Sequence, residues 1–178
     1  MKFILNYEFD LEDGMLSAEE LESNLDDKAS TLSDVAREEG RIVVLVDGED
    51  VCGEYSEPLV RLVNQWLRKV KWLISGDTET LPFRNTEQCF GFEPSGTSVE
   101  FCFYDGTELE VEEYIVEPVN VHLDKLIQES VRLGERALRV VEVANPEAAE
   151  SDEDCLELRV GLEELRDSWH QHELRQRR

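Results

Sequence analysis

Between Gln88 and Gly106 the chain reads QCFGFEPSGTSVEFCFYDG, with phenylalanine at alternate positions on both sides of a polar, glycine-containing break. A period of two belongs to strands, because successive side chains leave a strand on opposite faces. Two such strands present one aromatic core face and a second face that bears glutamates. A tight turn at Ser95-Gly96 is expected to join them. It sets Cys89 opposite Cys102, Phe90 opposite Phe101 and Phe92 opposite Val99. The aromatic face then holds Phe90, Phe92, Val99, Phe101 and Phe103, and the other face Cys89, Glu93, Glu100, Cys102 and Tyr104. A sheet buried on one face needs a second layer over it.

That layer is legible at 58–75. Pro58 suits a first helical position, and Leu59, Leu62, Val63, Trp66, Val70, Leu73 and Ile74 fall on one side of a helical wheel. Arg61, Asn64, Gln65, Arg68 and Lys71 fall on the other, and Gly76 is a natural stop. Trp72 breaks the pattern by lying on the polar side near Arg61 and Arg68.

Other segments read in the same way. Residues 2–9 predict a strand. Ser17 and Glu20 have capping-box spacing ahead of a helix with Leu21, Leu25, Ala29, Leu32 and Ala36 inward, interrupted near Asp26-Asp27 and stopped at Gly40. Arg41 to Val46 is a β-branched strand, turned at Asp47-Gly48. A turn at Asp105-Gly106 starts another strand. A bulged three-residue loop is expected there, because it places Leu109 and Val111, not three glutamates, on the aromatic face. Residues 123–143 predict a helix that His122 could cap. The last helix carries a narrow stripe of Leu158, Leu162, Leu165 and Trp169. The expected fold is α+β: a mostly antiparallel sheet of five or six strands, helices 58–75 and 123–143 on one face, the N-terminal helix at an edge, and a C-terminal helix. The expected division is a globular unit over 1–145, an acidic linker over 146–154 and the helix over 155–178.

Charge narrows the function. The chain of 178 residues has 42 acidic and 18 basic side chains, a net charge of -24. Such a surface repels phosphates, so nucleic acid and anionic membrane are not expected partners. No apolar run spans a bilayer and no targeting segment is apparent, which predicts a cytoplasmic protein. Cys52, Cys89, Cys102 and Cys155 lack CxxC spacing and are expected as free thiols; the alternatives are a Cys89–Cys102 cross-strand disulfide or half of a metal site that Cys52 could join. His170 and His172 point to different faces of a helix, the wrong geometry for shared zinc ligation. No phosphate loop, dinucleotide fingerprint or nucleophile elbow occurs. No catalytic residue, metal or cofactor is therefore assigned.

Three functional readings follow. The first is a non-enzymatic acidic protein that binds a basic protein partner. In composition, not in sequence, such a small acidic α+β chain is similar to many immunity proteins and antitoxins, which implies an inhibitor occupying a cationic site. Self-association through the C-terminal helix is the other expected contact. The second reading is adaptation to high salt, toward which the ratio of 13 arginines to 5 lysines leans. The third is a carboxylate-based enzyme, which would need a pocket holding an acid of raised pKa. Candidate partner-binding residues are Arg61, Arg68 and Trp72, a tryptophan flanked by arginines, together with Trp169.

Overall fold

The computed structural model describes residues 1–32 and 34–176, the side chain of Gln176 excepted. In chain order the elements are β1 (Phe3–Leu11), β2 (Gly14–Ser17), α1 (Ala18–Ser23), α2 (Leu25–Lys28), a 3-10 turn (Ala29–Thr31), β3 (Glu39–Val46), β4 (Glu49–Asp50), β5 (Glu57–Pro58) and α3 (Leu59–Leu73). There follow β6 (Glu79–Pro82), β7 (Gln88–Ser95), β8 (Ser98–Gly106), β9 (Val111–His122), α4 (Leu123–Ala144), α5 (Pro146–Ser151) and α6 (Glu153–Gln176). The fold is α+β. Its strands divide into two antiparallel sheets: β2-β1-β3-β4, with β5 also on β3, and β6-β7-β8-β9.

The inner faces of the sheets meet helices. Phe3, Leu5, Tyr7, Phe9, Ile42 and Val44 are buried from the first sheet, and Phe90, Phe92, Val99, Phe101 and Phe103 from the second. Phe3 meets Phe101 edge-on at 6.2 Å, joining the two sets. Trp66 of α3 is fully buried and packs edge-on against Phe90 and Phe92 at 5.2 and 5.0 Å. Its indole N–H donates to Ser130 Oγ at 2.9 Å, so the large aromatic leaves no polar atom unpaired. Helix α4 packs on β1, α3 packs on β3 and β6, and α6 lies against both helices. Gly134 makes this triple packing possible: a Cβ there would stand 2.9 Å from Leu67 and 3.1 Å from Leu162.

Beyond the reach of β2, the outer edge of β1 is closed by α4 side chains. The backbone N–H of Leu5 donates to the buried Glu129 carboxylate at 3.2 Å, and Arg132 donates to the Leu5 carbonyl at 3.4 Å. Lys125 and Arg132 pair with the same carboxylate at 2.8 and 3.1 Å. The carboxylate thus satisfies a strand edge that no strand covers.

Several expectations are corrected. Ser95 pairs with Ser98, so the β7–β8 turn is Gly96-Thr97, and Phe90 faces Phe103, Phe92 faces Phe101 and Cys89 faces Tyr104. Gly96 has φ +63°, and such hairpin turns want glycine at the first central position, not the second. Register moves by two residues, so every side chain keeps its expected face. The β8–β9 loop is not the bulged three-residue one. Gly106 pairs with Val111, and Thr107 and Glu110 close the connection with reciprocal backbone hydrogen bonds. Leu109 is 97% exposed and Val111 is also exposed; Val116 and Val121 fill the inner face instead. Ser17 caps α1 through its hydroxyl as expected, but the helix breaks at Asn24 into short segments. Gly40 lies inside β3, where a Cβ would collide with the Glu8 carbonyl oxygen, and does not end a helix. His122 precedes α4 without a side-chain capping bond.

Candidate functional site

Helix α3 is cationic, with four bases and no acid, and three of the four are paired within the fold. Arg68 pairs with Glu157 at 3.3 Å and Lys71 with Glu164 at 2.7 Å, both acids on α6, and Lys69 pairs with Glu79 of β6 at 2.8 Å. Hydrogen bonding to Lys71 holds the Glu164 carboxyl below the usual carboxylate range. Because α6 packs on α3, the buried arc of α3 is wider than one wheel face: Val60, Asn64 and Leu67 are buried as well. Val60 and Leu67, seven apart, were the signal for this second contact. Asn64 Nδ2 donates to Glu157 at 3.0 Å, while its Oδ1 has no hydrogen-bond partner among the described residues and rests against Gly161.

The four residues singled out in the sequence do not converge on one site. Arg61 and Arg68 line a polar cleft of about 350 Å³ between α3 and the start of α6, shared with Glu153, Asp154 and Glu157. Trp72 is 48% exposed and lines a different cleft of about 450 Å³, with Ser75, Asp167, Gln171 and Arg175 among its walls. Lys71 lies 5.0 Å over its ring. Trp169 is half-buried against the core and stacks on His172 at 5.4 Å. The rest of its stripe, Leu158, Leu162 and Leu165, is buried by the chain's own α3 and α4. The stretch expected as a linker holds α5 and Asp152, whose carboxylate accepts from the N–H groups of Asp154 and Cys155 and from Arg37.

One stretch of the chain carries acids and no base. Eleven of the sixteen described lysines and arginines make ion pairs within the fold. From Asn85 to Val121, which contains β7, β8 and β9, there are nine acids and no lysine or arginine. None of those nine acids is in an ion pair among the described residues. On this sheet's outer face Tyr104 is buried and covers Gly91 and Cys102. Around the β8–β9 connection Leu109, Val111, Tyr114 and Ile115 are exposed among glutamates. Sequence reasoning missed this surface by turning Leu109 and Val111 inward. The run of acids without a base was the signal that could have found it.

The titratable groups offer little chemistry. All four cysteines are free thiols. Burial pushes Cys155 up to about 12 and Cys102 up to about 11, and raises Cys52 and Cys89. Thiols so disposed are poor nucleophiles. Burial favours a higher pKa for Asp152, but the N–H of Cys155 and the Arg37 guanidinium outweigh it and hold the carboxyl low. Both displaced carboxylates, Asp152 and Glu164, are therefore shifted away from general-acid behaviour. His122 lies exposed, 3.9 Å from Asp124. Among the described residues no three metal-ligating side chains gather, and no helix is long and apolar enough to cross a membrane. No protein-family model, curated protein or solved structure matches the chain.

Proposed function

We propose that this chain is a non-enzymatic binding protein whose four-stranded sheet receives a basic protein partner. The observation that carries the reading is the nine unpaired acids over 85–121 without one lysine or arginine. No described base pairs with these nine acids, so a foreign cation that docks here displaces none. Carboxylates at such a surface speed association and select partners by sign of charge. In its concrete form the protein is an inhibitor that covers a cationic site, in the manner of an immunity protein or antitoxin, acting in the cytoplasm. The tagged chain should retain one basic protein from host lysate at low salt and release it as salt rises. A variant with Glu93, Glu100, Glu112 and Glu113 all changed to Gln should retain much less. Equal retention by both proteins would overturn the reading.

A second reading, surface acidity as adaptation to high salt, is favoured by the 13 arginines against 5 lysines. It expects a fold that melts at low ionic strength and a column that retains no salt-released partner.

A further inference from the structure

Exposed apolar side chains are concentrated on the same end of the molecule as the unpaired acids. Eleven large hydrophobic residues are exposed among the described residues, and four of them, Leu109, Val111, Tyr114 and Ile115, lie within seven positions. The others are more widely spaced, the nearest pair being Leu156 and Val160, one turn apart on α6. Interspersed with the four are Glu108, Glu110, Glu112 and Glu113, and Glu117 follows.

We propose that the end of the β8–β9 hairpin is a docking ridge for a basic protein surface that contains an apolar pocket, with Leu109, Tyr114 and Ile115 as the inserting side chains. The inference rests on the binding reading above and assigns its contact. Charge complementarity chooses the occupant. A second copy of this chain would bring five more glutamates against these five, whereas a cationic rim around an apolar pocket matches both features at once.

The mode of contact follows from the irregularity of β9. It is an edge strand, and an edge can accept an added strand through its backbone. Here pairing with β8 is interrupted between Phe101 and Phe103, between Phe103 and Tyr104, and between Asp105 and Gly106. Pro118 also removes a backbone donor. So broken a ladder is a poor template for another strand, and recognition runs through side chains.

The ridge is held in shape before any partner arrives. The Tyr104 hydroxyl donates to the Thr107 carbonyl at 3.1 Å, and the Gly106 N–H donates to the Glu87 carbonyl at 2.7 Å. Tyr114 packs edge-on against Tyr104 at 6.4 Å. Gly106, at φ +142°, has no room for a side chain against the Glu110 carbonyl. A preformed apolar projection loses little conformational freedom on binding.

Two synthetic probes of equal charge test this, an amphipathic leucine–lysine peptide and an oligolysine, titrated calorimetrically at several salt concentrations. The leucine–lysine peptide should bind at least about tenfold more tightly, the advantage expected of one buried apolar anchor. The double variant L109S/I115S, whose unchanged melting temperature is verified first, should reduce it to the oligolysine level and leave oligolysine affinity unchanged. L109S alone should remove part of the advantage. Equal binding of the two probes, or an advantage that survives the double variant, overturns the ridge while salt-sensitive oligolysine binding leaves the broader reading standing. Absence of salt-sensitive binding by either probe overturns both.

Discussion

Gly91 is held at glycine by its neighbours, not by its backbone. A Cβ there would stand 2.7 Å from Cys102 Sγ and 3.2 Å from the Tyr104 ring. Gly91→Ala should therefore destabilise by about 1–3 kcal/mol, read from urea unfolding, as overpacking of a closed contact does. The two tryptophans of α3 should separate sharply. Trp66→Ala should cost about 3–5 kcal/mol, the range for deleting a buried aromatic. Trp72→Ala combined with Arg68→Ala should barely move the melting temperature, because the indole is half exposed and the Arg68–Glu157 pair is a surface pair worth about 0–1 kcal/mol. A large loss instead would make Trp72 a core residue. At Glu129 the backbone decides. Glu129→Leu leaves the Leu5 N–H without its acceptor and should cost about 1–3 kcal/mol, while the two partner cations remain solvated.

At the scale of elements, α6 is part of the core. Leu162→Ala should cost about 2–5 kcal/mol, because Leu162 fills the crossing of α6 with Gly134 of α4. Two acids tie this helix down and give the attachment a pH dependence. The Asp152 and Glu164 carboxyls are both lowered in the folded chain. Their stabilising contribution is complete above the unfolded carboxylate pKa of about 4 and is lost as pH falls through the lowered folded values. Amide exchange in α6 should accelerate as pH is taken below about 4, after correction for intrinsic exchange, and Asp152→Asn should flatten that dependence. The elements themselves were largely legible. Period-two phenylalanines, the Ser17 cap and the apolar wheel of α3 are local signals and appear as read. Hairpin register was not, because it turns on which position of a two-residue turn takes a positive φ, a choice that SGT in the sequence leaves open.

For the whole molecule, a net charge of -24 means that self-repulsion opposes compaction at low ionic strength. The melting temperature should rise as salt goes from about 0.05 to about 1 M and the Debye length shrinks toward about 3 Å. A flat or falling curve would mean that the internal ion pairs outweigh the repulsion. The location of that charge was only partly readable. A continuous acidic run with no base is visible in the letters, but which bases elsewhere are already neutralised is not.

The sequence by itself determined the class of fold, the inward faces of its principal strands and helices, and the sign of the surface. Periodicity, capping residues and composition are local or additive, so they can be read without coordinates. Only the tertiary structure decided that the strands form two sheets, that α6 supplies the acids for the cationic helix, and that Leu109 stands in solvent. Each of those depends on which distant segments come together. Arg68 and Lys71 find their acids at Glu157 and Glu164, far along the chain, because α6 is drawn onto α3 by Leu158, Leu162 and Leu165. Packing of α6 on α3 thus neutralises Arg68 and Lys71 from within, while the nine acids over 85–121 make no ion pair among the described residues.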